Sequence, residues 1–440
     1  MKASPVGSGP MSIDVLAPLS AGASGLAFFE SDLCVKCNIC TAACPVAGVT
    51  ELFPGPKAVG PQAARFRLPT RPEPDPRVAW CSGCGVCSRV CPHDVPVAEM
   101  NVIAKSELPS RGVRALRDSI LARPPEVARW LRPIRLLGRP AFRSPLLRAA
   151  AQRVVGIARR APFPVVAPTP LRRLRRDRIR SRPPAQPLPA RHVAYFHGCS
   201  TNDYEPWLGR TAIEILERFG VEVSLPPQRC CGLPLLSNAD FAAARRRARS
   251  NLESLQPWAE RGIPIVGTST SCTLALKHEY RAVLGLSGSA IDQVAHATQD
   301  FFEYMEHLLA ADGPHPAFGP VPLRLLYHAP CQLRSHRIGT PAVRVLRRIP
   351  GLQLELSLAE CCGVAGTYGL KREFYDVAVR VGADLMRQAR ASGVDGILTD
   401  SETCRWWTET HAGLSSRHPL EVLAMSLGLP DRRPRSGEGT

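Results

Sequence analysis

No segment of this chain is apolar for long enough to cross a bilayer. The longest weakly apolar stretch, residues 15–29, contains Pro18 among several glycines and serines and ends at Glu30, whereas a spanning helix needs about 20 mainly apolar residues. A secretory leader is not expected either, since Lys2 is followed by a Pro/Gly/Ser-rich start and Asp14 instead of an apolar core. No G-x-G-x-x-G follows a strand pattern: Gly363, Gly366 and Gly369 are wrongly spaced for a dinucleotide loop. No flavin or nicotinamide site is therefore expected in this chain. Its 440 residues imply two to four domains and argue against a small disulfide-stapled module.

Nor is any cysteine left over, because the sixteen fall into four sets of four. Cys34, Cys37, Cys40 and Cys44 precede Pro45, and Cys81, Cys84, Cys87 and Cys91 precede Pro92. Both runs read C-x2-C-x2-C-x3-C-P, which wraps a loop around one [4Fe-4S] cluster and sends its fourth thiolate to the neighbouring one. By that crossing rule Cys34, Cys37 and Cys40 are expected to hold one cluster with Cys91. Cys81, Cys84 and Cys87 are then expected to hold the other with Cys44. Free thiolates of this kind place the chain in a reducing compartment.

The remaining sets are Cys199, Cys230, Cys231, Cys272 and Cys331, Cys361, Cys362, Cys404; each spans 73 positions and contains Cys-Cys-Gly. Such regularity reads as a duplicated module with one site per copy. Short apolar runs at 193–196, 221–225 and 263–268 alternate with helical stretches at 207–219 and 240–261, and the order returns over 323–400. That alternation predicts α/β layers with largely parallel strands. The eight thiols are candidate sites for a second pair of centres. An adjacent Cys-Cys is awkward for an unstrained zinc tetrahedron, so spacing favours an iron-sulfur centre or a redox-active thiol site, with zinc still open. The glycine after each pair is expected to let the backbone approach a bulky cofactor.

The net charge of +18 lies mostly in one place: residues 111–182 hold 20 Arg, no Lys and three acids. Apolar residues such as Val113, Leu116, Ile120, Trp130, Leu146 and Val154 interleave with the arginines. The pattern reads as basic amphipathic helices, broken at Pro124, Pro133, Pro140 and Pro145, and suited to an anionic membrane surface. A solvated basic linker is the plainer reading, and eight prolines over residues 162–189 stiffen its end. With no binding fold or aromatic platform, nucleic acid is not an expected partner.

The stretches CVKCNICTAACPVAGVTELFPGPKAVGPQAARFRL, HGCSTNDYEPWLGR, CCGLPLLSNADF, YHAPC, CCGVAGTYGLKREFY and TDSETCRWW resemble the iron-sulfur C subunits of anaerobic glycerol-3-phosphate dehydrogenases. These belong to the wider CCG-domain group, which includes heterodisulfide reductase subunits and the iron-sulfur subunits of glycolate and lactate oxidases. The resemblance implies a multidomain chain: an N-terminal α-helical two-cluster ferredoxin-like domain followed by a duplicated α/β cysteine-rich CCG module. The expected parts are an extension (1–29), the ferredoxin-like domain (30–110), the basic linker (111–190), two CCG domains (191–312 and 313–428) and a tail (429–440).

In function the resemblance implies electron transfer, not substrate oxidation, in this chain. A flavoprotein dehydrogenase partner would oxidise glycerol 3-phosphate, and a membrane quinone would accept the electrons. The chain would then be cytoplasmic and peripheral on the inner face of the membrane, docked through residues 111–182. The alternatives are a subunit of a glycolate or lactate oxidase, or a heterodisulfide-reductase-like thiol subunit. Many relatives close each repeat with C-x2-C, whereas Ser269 and Ser401 stand at the earlier positions here, leaving four thiolates per copy. Lesser candidates are His197 and His328, read as satisfied strand-end histidines; Trp406 and Trp407, read as core packing; and Lys57, read as part of a surface turn.

Overall fold

A computed structural model describes residues 33–67, 73–110, 112–134, 144–183 and 191–434. The extension 1–29, Pro140 and residues 435–440 of the tail lie outside the described residues. At the front, the short helices Ile39–Ala42 and Val86–Arg89 each follow a residue in the left-handed region, Asn38 (φ 69°) and Gly85 (φ 79°). The helix Val97–Ser106 packs against both the turn Ala58–Gln62 and the turn Pro76–Trp80. Gly60 is needed in that packing, because a Cβ there would stand 2.4 Å from Asn101 Oδ1.

Two four-stranded sheets follow. Strands β1 (His192–Phe196), β2 (Glu222–Ser224), β3 (Ile265–Gly267) and β4 (Thr298–Asp300) lie in the order β2-β1-β3-β4, and all pairs are parallel. Strands β5 (Arg324–Tyr327), β6 (Gln353–Leu356), β7 (Gly396–Leu398) and β8 (Ser416–Arg417) repeat that order, β6-β5-β7-β8, again all parallel. The central strands are short and apolar on both faces because helices cover both sides, as parallel sheets require. Each copy ends in a helix started by a capping box: Asp300 with Glu303 before Phe301–Ala310, and His418 with Glu421 before Pro419–Ser426.

The copies pack reciprocally. The helix Pro206–Arg218 of the first meets Pro419–Ser426 of the second, while Phe301–Ala310 meets Pro341–Leu346. Val193, Leu208, Phe302, Leu325, Val345 and Leu423 thus share one continuous core. Buried Arg405, on the helix Glu402–Ala412 of the second copy, bonds Glu205 of the first, which also accepts from Trp406 Nε1 at 2.9 Å.

The basic segment differs from a free linker. Pro124 and Pro145 start the helices Pro124–Leu131 and Pro145–Val154 at positions where a missing N–H costs nothing. Isolated bridges pair Ile157 with Lys371 and Ile179 with Leu225, stitching the segment to both copies. Arg117, only 2% exposed, is bound by Asp118 and Glu373; Arg123 meets Asp240, Arg132 meets Asp203, and Arg175 and Arg178 meet Glu217. All of these partners but Asp118 lie far off in sequence, which is why composition did not reveal them. The expected apolar faces nonetheless remain outward: Trp130 is 74% and Leu146 82% exposed. No helix among the described residues is long and apolar enough to cross a membrane.

Candidate metal centres

The crossover order brings the cysteines together. In a parallel sheet whose strand order reverses beside its first strand, loops from the two central strands diverge at their carboxyl ends and leave a crevice. Cys199 follows β1, Cys230 and Cys231 follow β2, and Cys272 follows β3; Cys331, Cys361, Cys362 and Cys404 follow β5, β6 and β7 in the same way. All eight are free thiols, and all but half-buried Cys331 are buried.

Within the first set Cys230 Sγ lies 3.6 Å from Cys199 Sγ, and within the second Cys362 Sγ lies 3.1 Å from Cys404 Sγ. In both, the leading cysteine of the pair is the acidic one. Hydrogen bonds from Cys199 and Cys231 hold Cys230 well below the ordinary thiol range, and those from Cys331 and Cys362 do the same for Cys361. The Gly363 N–H donates to Cys361 Sγ at 3.3 Å. Each site thus presents a thiolate amid thiols, the donor set of a soft metal or iron-sulfur centre. Ser269 and Ser401 begin the helices Thr270–Leu274 and Glu402–Ala412. Ser401 caps its helix by accepting from Cys404 N, and Ser269 Oγ donates to Glu402 at 3.2 Å.

The two glycines of Cys-Cys-Gly differ in their surroundings, and a helix crossing accounts for the second. Gly363 has φ 104°, and a Cβ there would stand 2.1 Å from the carbonyl oxygen of Ala378. Its role is a close crossing of the helix Arg372–Ala391, where Gly382 is equally tight against Cys362.

At the front, a small cavity is lined by Cys34, Cys37, Cys40 and Cys91, with Lys57 on its wall; Lys57 is therefore beside a cysteine set and not merely on a surface turn. Cys44 lies instead with Cys81, Cys84 and Cys87, the four affecting one another's charge. Burial pushes Cys44 up to about 11. Cys84 also faces Cys361, and Cys331 feels Cys84, so this set adjoins the second module's site. Arg89 and Arg334 both grip Glu360 across the junction. Lys105, a residue the sequence did not single out, is half-buried there. It donates to the Cys81 carbonyl at 2.8 Å beneath the stacked rings of Tyr368 and Phe374, and burial lowers its pKa to about 8.

A cavity of about 1290 Å³ joins these parts, larger than the 300–1,000 Å³ typical of a single small-molecule pocket. Cys81 and Cys84, Cys231 and Cys272, and Cys362 and Cys404 all reach its wall, with Ser269, Ser401 and Glu402 between them. Burial raises the Glu402 carboxyl to about 7. Trp406 also lines the cavity, whereas Trp407 is fully buried and stacks on His411. His197 turns Nδ1 to the Gly198 carbonyl at 2.7 Å. His328 is not the satisfied strand-end histidine expected, because it is fully buried and neither ring nitrogen has a partner.

Comparison with known proteins agrees with this division. The 4Fe-4S dicluster domain family matches residues 30–95, and the cysteine-rich CCG family matches residues 193–277 and 325–408. The C subunit of the anaerobic glycerol-3-phosphate dehydrogenase of Escherichia coli K12 is 33% identical over 90% of this chain and 98% of its own length. The chain belongs to the family of that iron-sulfur protein. More distant members of the wider group are the E. coli K12 glycolate oxidase iron-sulfur subunit and the B subunit of the CoM/CoB fumarate reductase of Methanothermobacter marburgensis. The former is 25% identical over 90% of this chain and 93% of its own, the latter 22% over 84% and 66%. The family and these relatives share an iron-sulfur, oxidoreductase character, and dicluster and cysteine-rich domains support iron-sulfur clusters here.

Proposed function

We propose that the chain is the electron-transfer subunit of a glycerol-3-phosphate dehydrogenase, receiving electrons from a flavoprotein partner and delivering them to a membrane quinone. The observation that carries this reading is the contact between thiol sets: Cys84 beside Cys361 and Cys331, with both modules' thiols opening on the same cavity. The residues to hold one [4Fe-4S] cluster are Cys34, Cys37, Cys40 and Cys91, and those for the other are Cys81, Cys84, Cys87 and Cys44. The CCG cysteines of each module would hold a further centre. Bound there, such clusters supply one-electron transfer at potentials set by charge, hydrogen bonds and exposure.

The chain's own residues supply those settings. Gly363 N–H donates to sulfur, Lys105 places a cation near Cys81, and the packed helices keep water from most of the thiols. Identity of 33% to the E. coli dehydrogenase's C subunit supports glycerol 3-phosphate as the substrate of the partner. The outward Trp130 and Leu146, beside the arginines of residues 111–182, support docking on the anionic inner face of the cytoplasmic membrane.

The test is anaerobic co-purification with the native flavoprotein, followed by reduction of the chain's clusters by candidate substrates. Glycerol 3-phosphate should bleach the cluster absorbance and a quinone should restore it. Bleaching by glycolate or lactate alone would move the chain to the oxidase reading.

A further inference from the structure

The two modules are repeats, and their register says which residues correspond. Tyr195 pairs with Val266 in the first, and Tyr327 with Leu398 in the second; each tyrosine stands four residues before the leading cysteine of its set. Phe196, not His197, is therefore the counterpart of His328. Phe196 packs in an apolar cluster with Cys199, Cys230, Cys231 and Cys272. Its counterpart holds an imidazole in the corresponding place, and nothing in the fold of the second module explains that choice.

His328 is fixed by its backbone, whose N–H donates to Leu398 O at 2.8 Å and carries β5 one step past its last paired residue. The side chain has no accessible surface, yet both ring nitrogens lack a hydrogen-bond partner. Burying such a polar group with neither nitrogen paired is unfavourable unless something else engages it. One of its nitrogens, Cys362 Sγ and Cys404 Sγ all lie within 4.8 Å of one another. Cys361 feels the same ring. A neutral imidazole among thiolates is a ligand for iron in iron-sulfur chemistry, where exchange of thiolate for histidine raises the potential. Ser401, at the position where a further thiolate is expected, is occupied in capping its helix.

We propose that His328 is a nitrogen ligand of the iron-sulfur centre in the second module, joining Cys331, Cys361, Cys362 and Cys404 in a donor set that the first module does not possess. The inference rests on the reading that this set holds such a centre. It does not depend on which substrate or quinone lies at either end of the chain. The first module keeps four thiolates beside the guanidinium of Arg247, which Glu126 holds at 2.6 Å next to Cys230. The two centres of this chain are therefore chemically different.

The test uses the full chain, reconstituted anaerobically with ferrous iron and sulfide and carrying isotopically labelled histidine. Pulsed electron paramagnetic resonance should show a strongly coupled histidine nitrogen, lost in His328→Gln and kept in His197→Gln. His328→Cys should keep the iron, lose the nitrogen coupling and titrate at a lower potential. No coupled histidine nitrogen in the unsubstituted protein, coupling that survives His328→Gln, or an iron content unchanged by Cys404→Ser would each overturn the proposal. Failed delivery to quinone with the coupling intact would count against the conduit and leave the ligand standing.

Discussion

Three residues before its leading cysteine, the first module buries Phe196 and the second buries His328; three residues before its last cysteine, each has a serine starting a helix. The sheets agree in strand order, parallel pairing and the placement of thiols at their carboxyl ends. They differ in what surrounds the thiols: an aromatic ring and Arg247 in one, an unpartnered imidazole and the front cysteine set in the other. Duplication preserved the scaffold that gathers four cysteines, and the neighbours of those cysteines diverged. Two sites of one repeated pattern thus present different surroundings to their thiols.

The comparison breaks most sharply at the thiols. Cys362→Ser should empty the second site and spare the first, and Cys231→Ser the reverse, as read by iron content and resonance spectra. One substitution that empties both would mean a single shared centre.

Next in size is the glycine of Cys-Cys-Gly. Gly363→Ala forces a Cβ to 2.1 Å from a helix carbonyl, whereas at Gly232 the nearest atom is 3.6 Å away. Denaturant unfolding should show a loss of about 3 kcal/mol or more for the first, and about 1–2 kcal/mol, the left-handed cost alone, for the second. Equal losses would show that the close crossing is not what Gly363 serves.

Proton linkage separates the copies as well. Tyr195 bonds the Thr268 hydroxyl at 2.9 Å, while Tyr327 bonds the Asp400 carboxyl at 2.6 Å. Burial raises Asp400 to about 7, so the native state holds a proton that the unfolded chain releases near its ordinary pKa. The stability from this group is complete below about pH 4 and is lost as pH rises towards 7. Asp400→Asn should flatten that slope, removing a change of about 4 kcal/mol, and Thr268→Ala should leave it in place.

The smallest effect belongs to neither copy. Trp130→Ala and Leu146→Ala should change stability by no more than about 0.5 kcal/mol and leave both cysteine sites intact. They should nevertheless weaken flotation with anionic vesicles, and undiminished flotation would remove these residues from the docking surface.

Cysteine spacing made the duplication and the α/β alternation legible, because ligand positions and short apolar runs are local signals. The front sets were legible for the same reason. His328 was misread because counting to the nearest histidine paired it with His197, and only strand register shows that Phe196 is its equivalent. The basic segment looked like a linker since Glu373 and Asp203, which bind Arg117 and Arg132, lie 256 and 71 positions away. Lys105 gave no signal, since its surroundings depend on Tyr368 and Phe374 arriving from the second module.

Arg405 carries a consequence for how such a chain evolves. Its guanidinium is 1% exposed, and Glu205 of the other copy is its near partner, with Glu421 at 3.9 Å. A half separated from its sister would leave this cation without that near partner, and removing one partner of a buried pair costs about 3–5 kcal/mol. Once fused, the repeats lost the freedom to part: neither half is now a spare that selection can discard or recombine alone.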